Sequence, residues 1–179
     1  MTEKTILLHI CCGPCAIYPL KRLREQGFSV TGYFYNHNIH PFKEYQRRLD
    51  TAQQFASDEK LELIIGGGYE LEEFLMNTAG RHNERCEYCY ESRLGRTADY
   101  AKECAYALFT TTLLVSPYQK HNLLIAKAEV VAQSAGVGFF YEDFRSGWDE
   151  GVSVCRSRGY YRQPYCGCIY SEKERYLAK

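Results

Sequence analysis

The sequence lacks any long hydrophobic stretch. None of its apolar runs approaches the roughly 18 to 20 residues that a membrane helix needs. Residues 1–4 lead directly into a short strand-like segment, without the apolar region of a secretory signal peptide. These absences argue against a membrane-spanning or exported protein, and we expect the chain to be cytoplasmic.

The sequence also lacks an excess of either charge. Lysine plus arginine and aspartate plus glutamate number 22 each, so no overall field favours a nucleic-acid partner. Locally the balance changes, because no acidic residue lies between Glu150 and Glu172. Basic and aromatic side chains fill that interval, a mixture that could bind phosphates and stack bases, although a solvated basic loop fits it equally well. These side chains are Arg156, Arg158 and Arg162 with Tyr160, Tyr161 and Tyr165.

Short apolar runs alternate with segments of helical periodicity. The runs predict strands at residues 6–10, 30–35, 61–65, 107–115 and 139–141, with helices at 14–26, 41–57, about 71–75, 86–102 and 122–135. This alternation predicts an α/β fold with a parallel sheet, helices on both faces and a site beyond the carboxyl ends of the strands. From residue 143 the alternation fades. We expect residues 143–179 to form a tail that ends in a short charged helix and folds over the site, within a single domain spanning residues 1–179.

Nine cysteines are a high count for 179 residues, and an odd number cannot all pair within the chain. In a reducing compartment, clustered cysteines are more often metal ligands or redox groups than structural disulfides. Spacings of two and three residues allow thiolates to converge on one metal centre. Seven cysteines have such spacings: Cys11, Cys12 and Cys15; Cys86 and Cys89; and Cys166 and Cys168.

Seven thiolates exceed the four ligands of one iron-sulfur cluster or one zinc ion, which favours two metal centres. The adjacent Cys11 and Cys12 suit this arrangement, because neighbouring side chains are expected to diverge and address different metals. Cys104 and Cys155 stand alone in the sequence, and we expect both to pack as small apolar side chains.

Two other functions fit part of this pattern. Cys12-Gly13-Pro14-Cys15, after a strand and at the start of a helix, matches the active-site tetrad of thioredoxin-like thiol-disulfide oxidoreductases. That function leaves two cysteine pairs unexplained, and residue 11 is cysteine where thioredoxins usually carry tryptophan. The second alternative is a zinc-stabilised RNA-binding module without catalysis, although a chain with its own core has less need of a structural zinc.

Four motifs occur in order along nearly the whole chain. They are His9-Ile10-Cys11-Cys12-Gly13-Pro14-Cys15, then Cys86-Glu87-Tyr88-Cys89-Tyr90 with Arg93, then Thr111-Thr112-Leu113-Leu114 with Ser116-Pro117-Tyr118, and finally Tyr165-Cys166-Gly167-Cys168. Together they resemble the QueH family of epoxyqueuosine reductases. The resemblance implies a three-layer HUP-like (PP-loop-like) fold, in which the cysteine turn stands where ATP-using relatives have a phosphate loop. It therefore implies no use of ATP.

The resemblance also implies a reaction and its cofactors. Members of this family remove the epoxide oxygen from epoxyqueuosine in a tRNA anticodon, without cobalamin, using a 4Fe-4S cluster and an adjacent mononuclear iron. A cluster can relay electrons singly, and an iron with open positions can polarise the epoxide oxygen. The sequence does not identify the electron donor. We predict that the cluster is held by Cys12, Cys86, Cys89 and Cys168, and the iron by Cys11, Cys166 and Cys15.

Several polar residues near these motifs are candidates for further roles. His9, Tyr118 and Tyr165 could donate a proton or a hydrogen bond during catalysis, although packing is the commoner role for such residues. The polar turn that contains His37 follows the second strand and is not predicted to supply ligands. For tRNA binding, the candidate residues are Arg145, Arg156, Arg158 and Arg162 for contacts to RNA and Tyr160 and Tyr161 for stacking on anticodon bases.

Overall fold

Five parallel strands form the centre of the protein in a computed structural model, which describes residues 4–177. Residues 1–3, on which most of the expectation about the N-terminus rests, lie outside that range. The strands lie in the order β3-β2-β1-β4-β5, and each neighbouring pair is parallel. They are β1 (Lys4–His9), β2 (Phe28–Phe34), β3 (Leu63–Ile65), β4 (Leu108–Thr111) and β5 (Gly138–Phe139).

Within residues 4–177, seven α-helices connect and cover the strands. They are α1 (Gly13–Glu25), α2 (Phe42–Asp58), α3 (Leu71–Thr78), α4 (Arg85–Glu103), α5 (His121–Ala135), α6 (Trp148–Ser157) and α7 (Ile169–Leu177). Helix α1 contacts α2 and α6, while α4 contacts α5. Right-handed crossovers place these two sets on opposite faces of the sheet. The predicted α/β class with helices on both faces is confirmed. No helix in this part of the chain is long and apolar enough to cross a membrane.

The sheet is buried on both faces, which explains the composition of its central strand. Ile6, Leu7 and Leu8 of β1 are fully buried. A strand covered on both sides needs apolar residues at successive positions, whereas a half-exposed strand alternates apolar and polar residues. The apolar run in the sequence therefore corresponds to the most enclosed strand of the molecule.

The strand order creates a crevice at the carboxyl ends of β1 and β4. The chain runs from β1 to β2 and β3 on one side of the sheet and then crosses to β4 on the other side of β1. The loop that follows β1 and the loop that follows β4 therefore lead away from each other and leave a crevice between them. Cys11 follows β1 and Thr112 follows β4, and the Cys11 backbone N–H donates a hydrogen bond to Thr112 Oγ1 at 3.1 Å. The first cysteine group therefore lies where parallel α/β sheets usually bind their ligands.

The structure differs from the sequence-based prediction in two places. Strand β4 ends at Thr111, and a 3₁₀ helix covers Thr112–Val115, where a strand is predicted. The reason is a local cap, because Thr111 Oγ1 accepts a hydrogen bond from the Leu113 N–H at 3.1 Å. The tail also contains α6, which the sequence does not predict. The sequence of this helix is rich in glycine, serine and valine, which have low helix propensity.

Candidate metal centre

Three thiols lie together between β1 and α1. The Sγ atoms of Cys11, Cys12 and Cys15 are all within 4.8 Å of one another, and all three side chains are buried. Cys11 Sγ and Cys12 Sγ are 3.8 Å apart. Two thiolates at about 2.3 Å from one tetrahedral metal have a separation of about 3.8 Å. These residues therefore fit a metal centre. Among residues 4–177, no other three His, Cys, Asp or Glu ligand atoms are grouped this closely.

The local backbone explains why these thiols converge. Cys12 is the N-cap residue of α1 and has extended backbone angles, while Cys15 lies in the first turn of the helix. The expectation that Cys11 and Cys12 diverge is wrong, because β1 ends at His9 and the alternation of strand side chains no longer applies. Gly13 lets α1 approach α2 closely, since a Cβ there would lie 2.7 Å from the Thr51 carbonyl oxygen.

Four further cysteines come from α4 and the tail. Cys86 and Cys89 are one helical turn apart near the start of α4. Cys89 and Cys168 belong to one small buried cluster. Burial raises the pKa of Cys89 to about 12, and the nearby Cys166 and Cys168 add to this rise. Thiols that repel one another's ionised forms in this way favour a shared cation. The structure thus brings both predicted pairs together, with Cys166 more exposed than its neighbours.

A buried guanidinium lies beside both cysteine groups. Arg93 Nη1 is 3.6 Å from Cys89 Sγ, and Arg93 Nη2 donates to Asn36 Oδ1 at 2.6 Å. The charge of Arg93 also acts on Cys11 and Cys166. Arg93 is only 2% exposed. Sequence reasoning included Arg93 in a motif but assigned it no role. The available signal was its position four residues after Cys89, on the same face of α4.

The first cysteine group concentrates negative charge on one sulfur. Hydrogen bonds from Cys12 and Cys15, with help from Arg93, hold the pKa of Cys11 well below its usual value. Burial raises the pKa of Cys12, and hydrogen bonding to Cys11 raises that of Cys15. A thioredoxin-like mechanism would instead need an accessible Cys12 with a lowered pKa. Because Cys12 is fully buried, this geometry counts against that alternative.

A cavity of about 910 Å³ opens over the thiols. Cys11, Cys15 and Cys166 line it, and Gln163 Nε2 lies 3.3 Å from Cys15 Sγ. The remaining lining includes aromatic and basic side chains from the turn after β4, from α6 and from the tail, namely Tyr118, Trp148, Arg156, Arg162 and Arg175. The cavity can therefore admit a large polar molecule to the edge of the cysteine groups.

Arg48 of α2 holds the tail beside this cavity. Its guanidinium donates hydrogen bonds to the carbonyl oxygens of Cys166 at 2.8 Å and Tyr165 at 2.9 Å. It also forms an ion pair with Glu44, with the Nε and Oε1 atoms 2.7 Å apart. Arg48 is 2% exposed, so these bonds are shielded from water. Sequence reasoning did not identify Arg48, because nothing in its local sequence separates it from an ordinary surface arginine of a helix.

The three candidate catalytic residues have different surroundings. His9 is fully buried, with Nδ1 2.9 Å from Thr111 Oγ1 and Nε2 3.1 Å from the Tyr35 carbonyl, and burial lowers its pKa to about 3. Tyr165 lines the cavity, but its hydroxyl donates to the His40 carbonyl. Tyr118 also lines the cavity and is 83% exposed. Of the three, only Tyr118 has a hydroxyl without a hydrogen-bond partner among the described residues.

The candidate RNA-binding arginines divide into two sets. Arg156 and Arg162 line the cavity. Arg145 instead forms an ion pair with Asp143, and Arg158 forms one with Glu59. The first set is therefore better placed to bind phosphates near the cysteines.

The candidate stacking tyrosines are engaged within the protein. Tyr160 is only 5% exposed, and its hydroxyl donates to Asp58 Oδ2 at 2.5 Å. The expectation that Tyr160 stacks on RNA bases does not fit this burial. Tyr161 is partly exposed, with its hydroxyl 2.5 Å from Glu44 Oε2 and its ring beneath the Arg47 guanidinium.

The two isolated cysteines also differ from each other. Cys155 is fully buried in the core, as expected for a packed thiol. Cys104 is exposed where α4 ends, so the expectation that it packs as a small apolar side chain is wrong. The reason is its position at the C-cap, beyond the buried face of the helix.

Comparisons with known proteins agree on one family. Residues 6–174 match the family described as Epoxyqueuosine reductase QueH. A curated relative of that name from Dehalococcoides mccartyi is 41% identical over 171 residues, covering 96% of this chain and 94% of the relative. The relative of that name from Thermotoga maritima is 34% identical over 181 residues, covering 96% and 92% of the two chains.

One solved structure shows the same fold at low sequence identity. It is described as a predicted subunit of tRNA methyltransferase from Methanocaldococcus jannaschii, with a TM-score of 0.52 and 11% identity. The superposition covers 86% of this chain and 88% of that one. At this identity the likeness supports the fold alone.

Proposed function

Because this chain belongs to the QueH family of epoxyqueuosine reductases, we propose that it converts epoxyqueuosine in tRNA to queuosine. In this reaction both carbon–oxygen bonds of the epoxide break and a carbon–carbon double bond forms. The oxygen leaves as water after taking up two protons, and two electrons come from an external one-electron reductant. The chain would act in the cytoplasm as one HUP-like domain, with residues 143–179 supplying ligands.

We further propose a 4Fe-4S cluster and an adjacent iron, held by the seven grouped cysteines. The observation that carries this proposal is the tight group of Cys11, Cys12 and Cys15 at a cavity that Cys166 also lines, with Cys89 and Cys168 clustered close to Cys166. When bound, such metals supply single electrons and a Lewis acid for the epoxide oxygen. The 3.8 Å between Cys11 Sγ and Cys12 Sγ also suits two ligands of one metal, so an iron on Cys11 and a cluster on Cys12 would have to lie directly beside each other.

The assignment of ligands stays a proposal. We assign Cys12, Cys86, Cys89 and Cys168 to the cluster, and Cys11, Cys166 and Cys15 to the iron. Cys12 lies in close contact with Cys11 and Cys15, yet we assign it to the cluster and the other two to the iron. The assignment of Cys12 is therefore the one that an experiment should test. Replacing Cys12 by alanine should lower both iron and acid-labile sulfide, whereas replacing Cys11 should lower iron and leave sulfide unchanged. The opposite pattern would reverse the assignment of these two residues.

The protein itself contributes charge and enclosure to the proposed reaction. The buried guanidiniums of Arg93 and Arg48 offset the negative charge of the thiolates. The cavity is open on one side, so water can deliver protons to the leaving oxygen. His9 and Tyr165 are already hydrogen bonded within the protein, so they would support the site rather than exchange protons directly.

The test begins with iron and sulfide per chain in protein that is purified and reconstituted without oxygen. We expect more than four irons with about four sulfides, and a visible absorption that bleaches with dithionite. The same protein should then convert epoxyqueuosine in tRNA to queuosine, measured by mass spectrometry of the digested nucleosides. Zinc without sulfide would favour the RNA-binding module, and a titratable disulfide without metal would favour the thioredoxin-like alternative.

A matched pair of cysteine variants controls for general effects of thiol loss. Cys104→Ser removes an exposed thiol at the end of α4 and should leave iron, sulfide and turnover unchanged. Cys89→Ala removes a buried thiol at the start of the same helix and should lower all three. Equal metal content in the two variants would contradict the proposed ligand role of Cys89.

A further inference from the structure

Two aromatic rings stand together at the exposed side of the cavity. Tyr118 is 83% exposed, and its ring meets that of Trp148 edge-on, with centroids 5.7 Å apart and an angle of 79° between the planes. Trp148 is the single tryptophan of the chain. Both residues line the cavity that holds Cys11 and Cys166. A bound molecule could therefore contact the aromatic pair and the cysteines at the same time.

The exposure of Tyr118 is imposed by a well-bonded turn. The Tyr118 N–H donates to the hydroxyl of buried Ser116 at 3.2 Å. The next residue, Gln119, accepts a hydrogen bond from the Tyr90 hydroxyl at 2.7 Å, and its Nε2 lies 3.5 Å from Cys166 Sγ. The turn thus connects the exposed ring to a proposed metal ligand. An exposed aromatic ring does not contribute the favourable free energy that its burial would give to folding. An exposed ring that the backbone holds in a fixed position beside a cavity therefore indicates a binding role.

The charges around the ring pair favour an anionic partner. Arg156, Arg162 and Arg175 line the same cavity, and none forms an ion pair with a carboxylate of residues 4–177 within 4.0 Å. The acidic side chains in the lining are Asp149 and Glu174, and Glu174 already pairs with Arg85. Of the two rings, Tyr118 is exposed and Trp148 is half-buried. Guanidiniums without a carboxylate partner, beside accessible aromatic rings, are the combination that binds unpaired nucleotides through phosphates and base stacking.

We propose that Tyr118 and Trp148 form a stacking platform for an unpaired nucleobase of the RNA, with the three arginines binding its phosphates. Tyr118 acts in this site through its ring and not through its hydroxyl. The proposal rests on the proposed function, because the RNA is the substrate, but it adds a base-binding site that is separate from the metal ligands. It also replaces Tyr160 as the stacking residue.

Trp148 allows the platform to be tested directly, because all tryptophan fluorescence comes from this site. Metal-loaded protein is titrated with an unmodified anticodon stem-loop RNA, which contains no epoxide and cannot react. We expect saturable quenching of Trp148 fluorescence. Tyr118→Ala should weaken RNA binding by about 5- to 150-fold, the range measured for loss of one stacked base. Tyr118→Phe keeps the ring and should restore the affinity.

The control is Tyr141→Ala, which removes another exposed tyrosine that lies outside the cavity and should not change RNA affinity. Wild-type affinity in Tyr118→Ala would overturn the platform, as would an equal loss in Tyr118→Phe and Tyr118→Ala. Neither result bears on the proposed reaction, because the reaction is measured in a separate assay, as conversion of epoxyqueuosine in tRNA. Conversely, Tyr118-dependent binding without any conversion would support the platform and reject the reaction. A wild-type protein that does not bind the stem-loop RNA would reject the platform, whereas the conversion assay alone decides the reaction.

Discussion

Arg93 supplies buried positive charge next to the cysteines of the candidate site. Its guanidinium contacts Cys89 and Asn36 at once, and lysine keeps the charge but cannot form both contacts. We expect Arg93→Lys to weaken iron binding by about 10- to 100-fold, as is typical when a group next to metal ligands is lost. The measurement is the iron retained by reconstituted protein against increasing concentrations of a chelator.

Arg96→Lys provides a control on the same helix. Arg96 is exposed and lies over the Tyr35 ring, away from the sulfur atoms, so this variant should retain iron like the wild type. If both variants retained iron equally well, the contact between Arg93 and Cys89 would have no part in metal binding.

A second prediction at this scale separates free arginines from paired ones. Arg162 lines the cavity, whereas Arg158 forms an ion pair with Glu59 at 2.6 Å. Arg162→Ala should therefore reduce the slope of log affinity for RNA against log salt by about one, because one phosphate contact is lost. Arg158→Ala should leave the slope unchanged. Equal slopes in the two variants would contradict the assignment of Arg162 to a phosphate.

Much of the site could be predicted at the residue scale, but only for groups with a local pattern. The seven cysteines were identifiable because two- and three-residue spacings are rare and characteristic of metal sites. Arg48 and Arg93 carry no such signal, since their roles arise from contacts between distant segments. Tyr160 was assigned to stacking because sequence composition cannot distinguish a buried tyrosine from an exposed one.

At the scale of secondary-structure elements, the packing of α1 against α2 depends on Gly13. A Cβ at this position would lie 2.7 Å from the Thr51 carbonyl oxygen of α2 and 3.1 Å from the Thr51 Cγ2 atom. Gly13→Ala should push α1 away from α2 and lower the free energy of unfolding by about 1–3 kcal/mol. The measurement is urea unfolding followed by circular dichroism.

Gly95 is the matched control for this substitution. It lies inside α4, and a Cβ there would have its nearest neighbour at 4.0 Å, the Val131 Cγ1 atom. Gly95→Ala should raise the free energy of unfolding by about 0.5–1 kcal/mol, because alanine stabilises a helix relative to glycine. Destabilisation by both variants would contradict the conclusion that a Cβ fits beside Gly95 without a clash.

The attachment of the tail gives another prediction for an element. Arg48→Ala removes both hydrogen bonds to the Tyr165 and Cys166 carbonyls, which should weaken the docking of residues 165–172 by about 3 kcal/mol or more. We expect faster amide hydrogen exchange in that segment, measured by mass spectrometry, with the sheet unaffected. Arg47→Ala, on the adjacent position of α2, should leave the exchange unchanged.

The elements themselves were predictable where periodicity was strong. All five strands and the first five helices could be located approximately, because buried faces impose regular apolar spacing. Helix α6 was missed because its glycine, serine and valine residues have low helix propensity, although its apolar residues have helical spacing. The strand β4 was predicted too long because its threonine-rich sequence favours strand, whereas a side-chain cap at Thr111 ends it.

Buried histidines make the whole molecule sensitive to acid. Burial and the nearby Arg93 lower the pKa of His37 to about 3, and burial lowers that of His40 to about 4. An unfolded histidine titrates near pH 6.5, so below this value the unfolded chain binds protons that the folded one does not. Stability from these groups is complete above about pH 6.5. It should fall, as the pH falls towards 4, by up to about 1.4 kcal/mol per pH unit for each histidine.

Urea unfolding of metal-free protein at several pH values between about 7 and about 5 measures this dependence. Replacing His37 by glutamine should remove the contribution of one histidine from the slope. A His37→Gln protein with the wild-type slope would show that His37 has the same pKa in the folded and the unfolded chain.

The cavity joins cysteines from the start of the fold to cysteines from its tail. This arrangement has a consequence for biosynthesis. Cys11 and Cys12 leave the ribosome long before Cys166 and Cys168, and the turn that carries the latter pair accepts hydrogen bonds from Arg48. The full set of proposed ligands therefore exists only after translation has passed residue 168. On the proposed ligand assignment, cofactor insertion follows synthesis of that segment, and until then the early thiols need protection from oxidation.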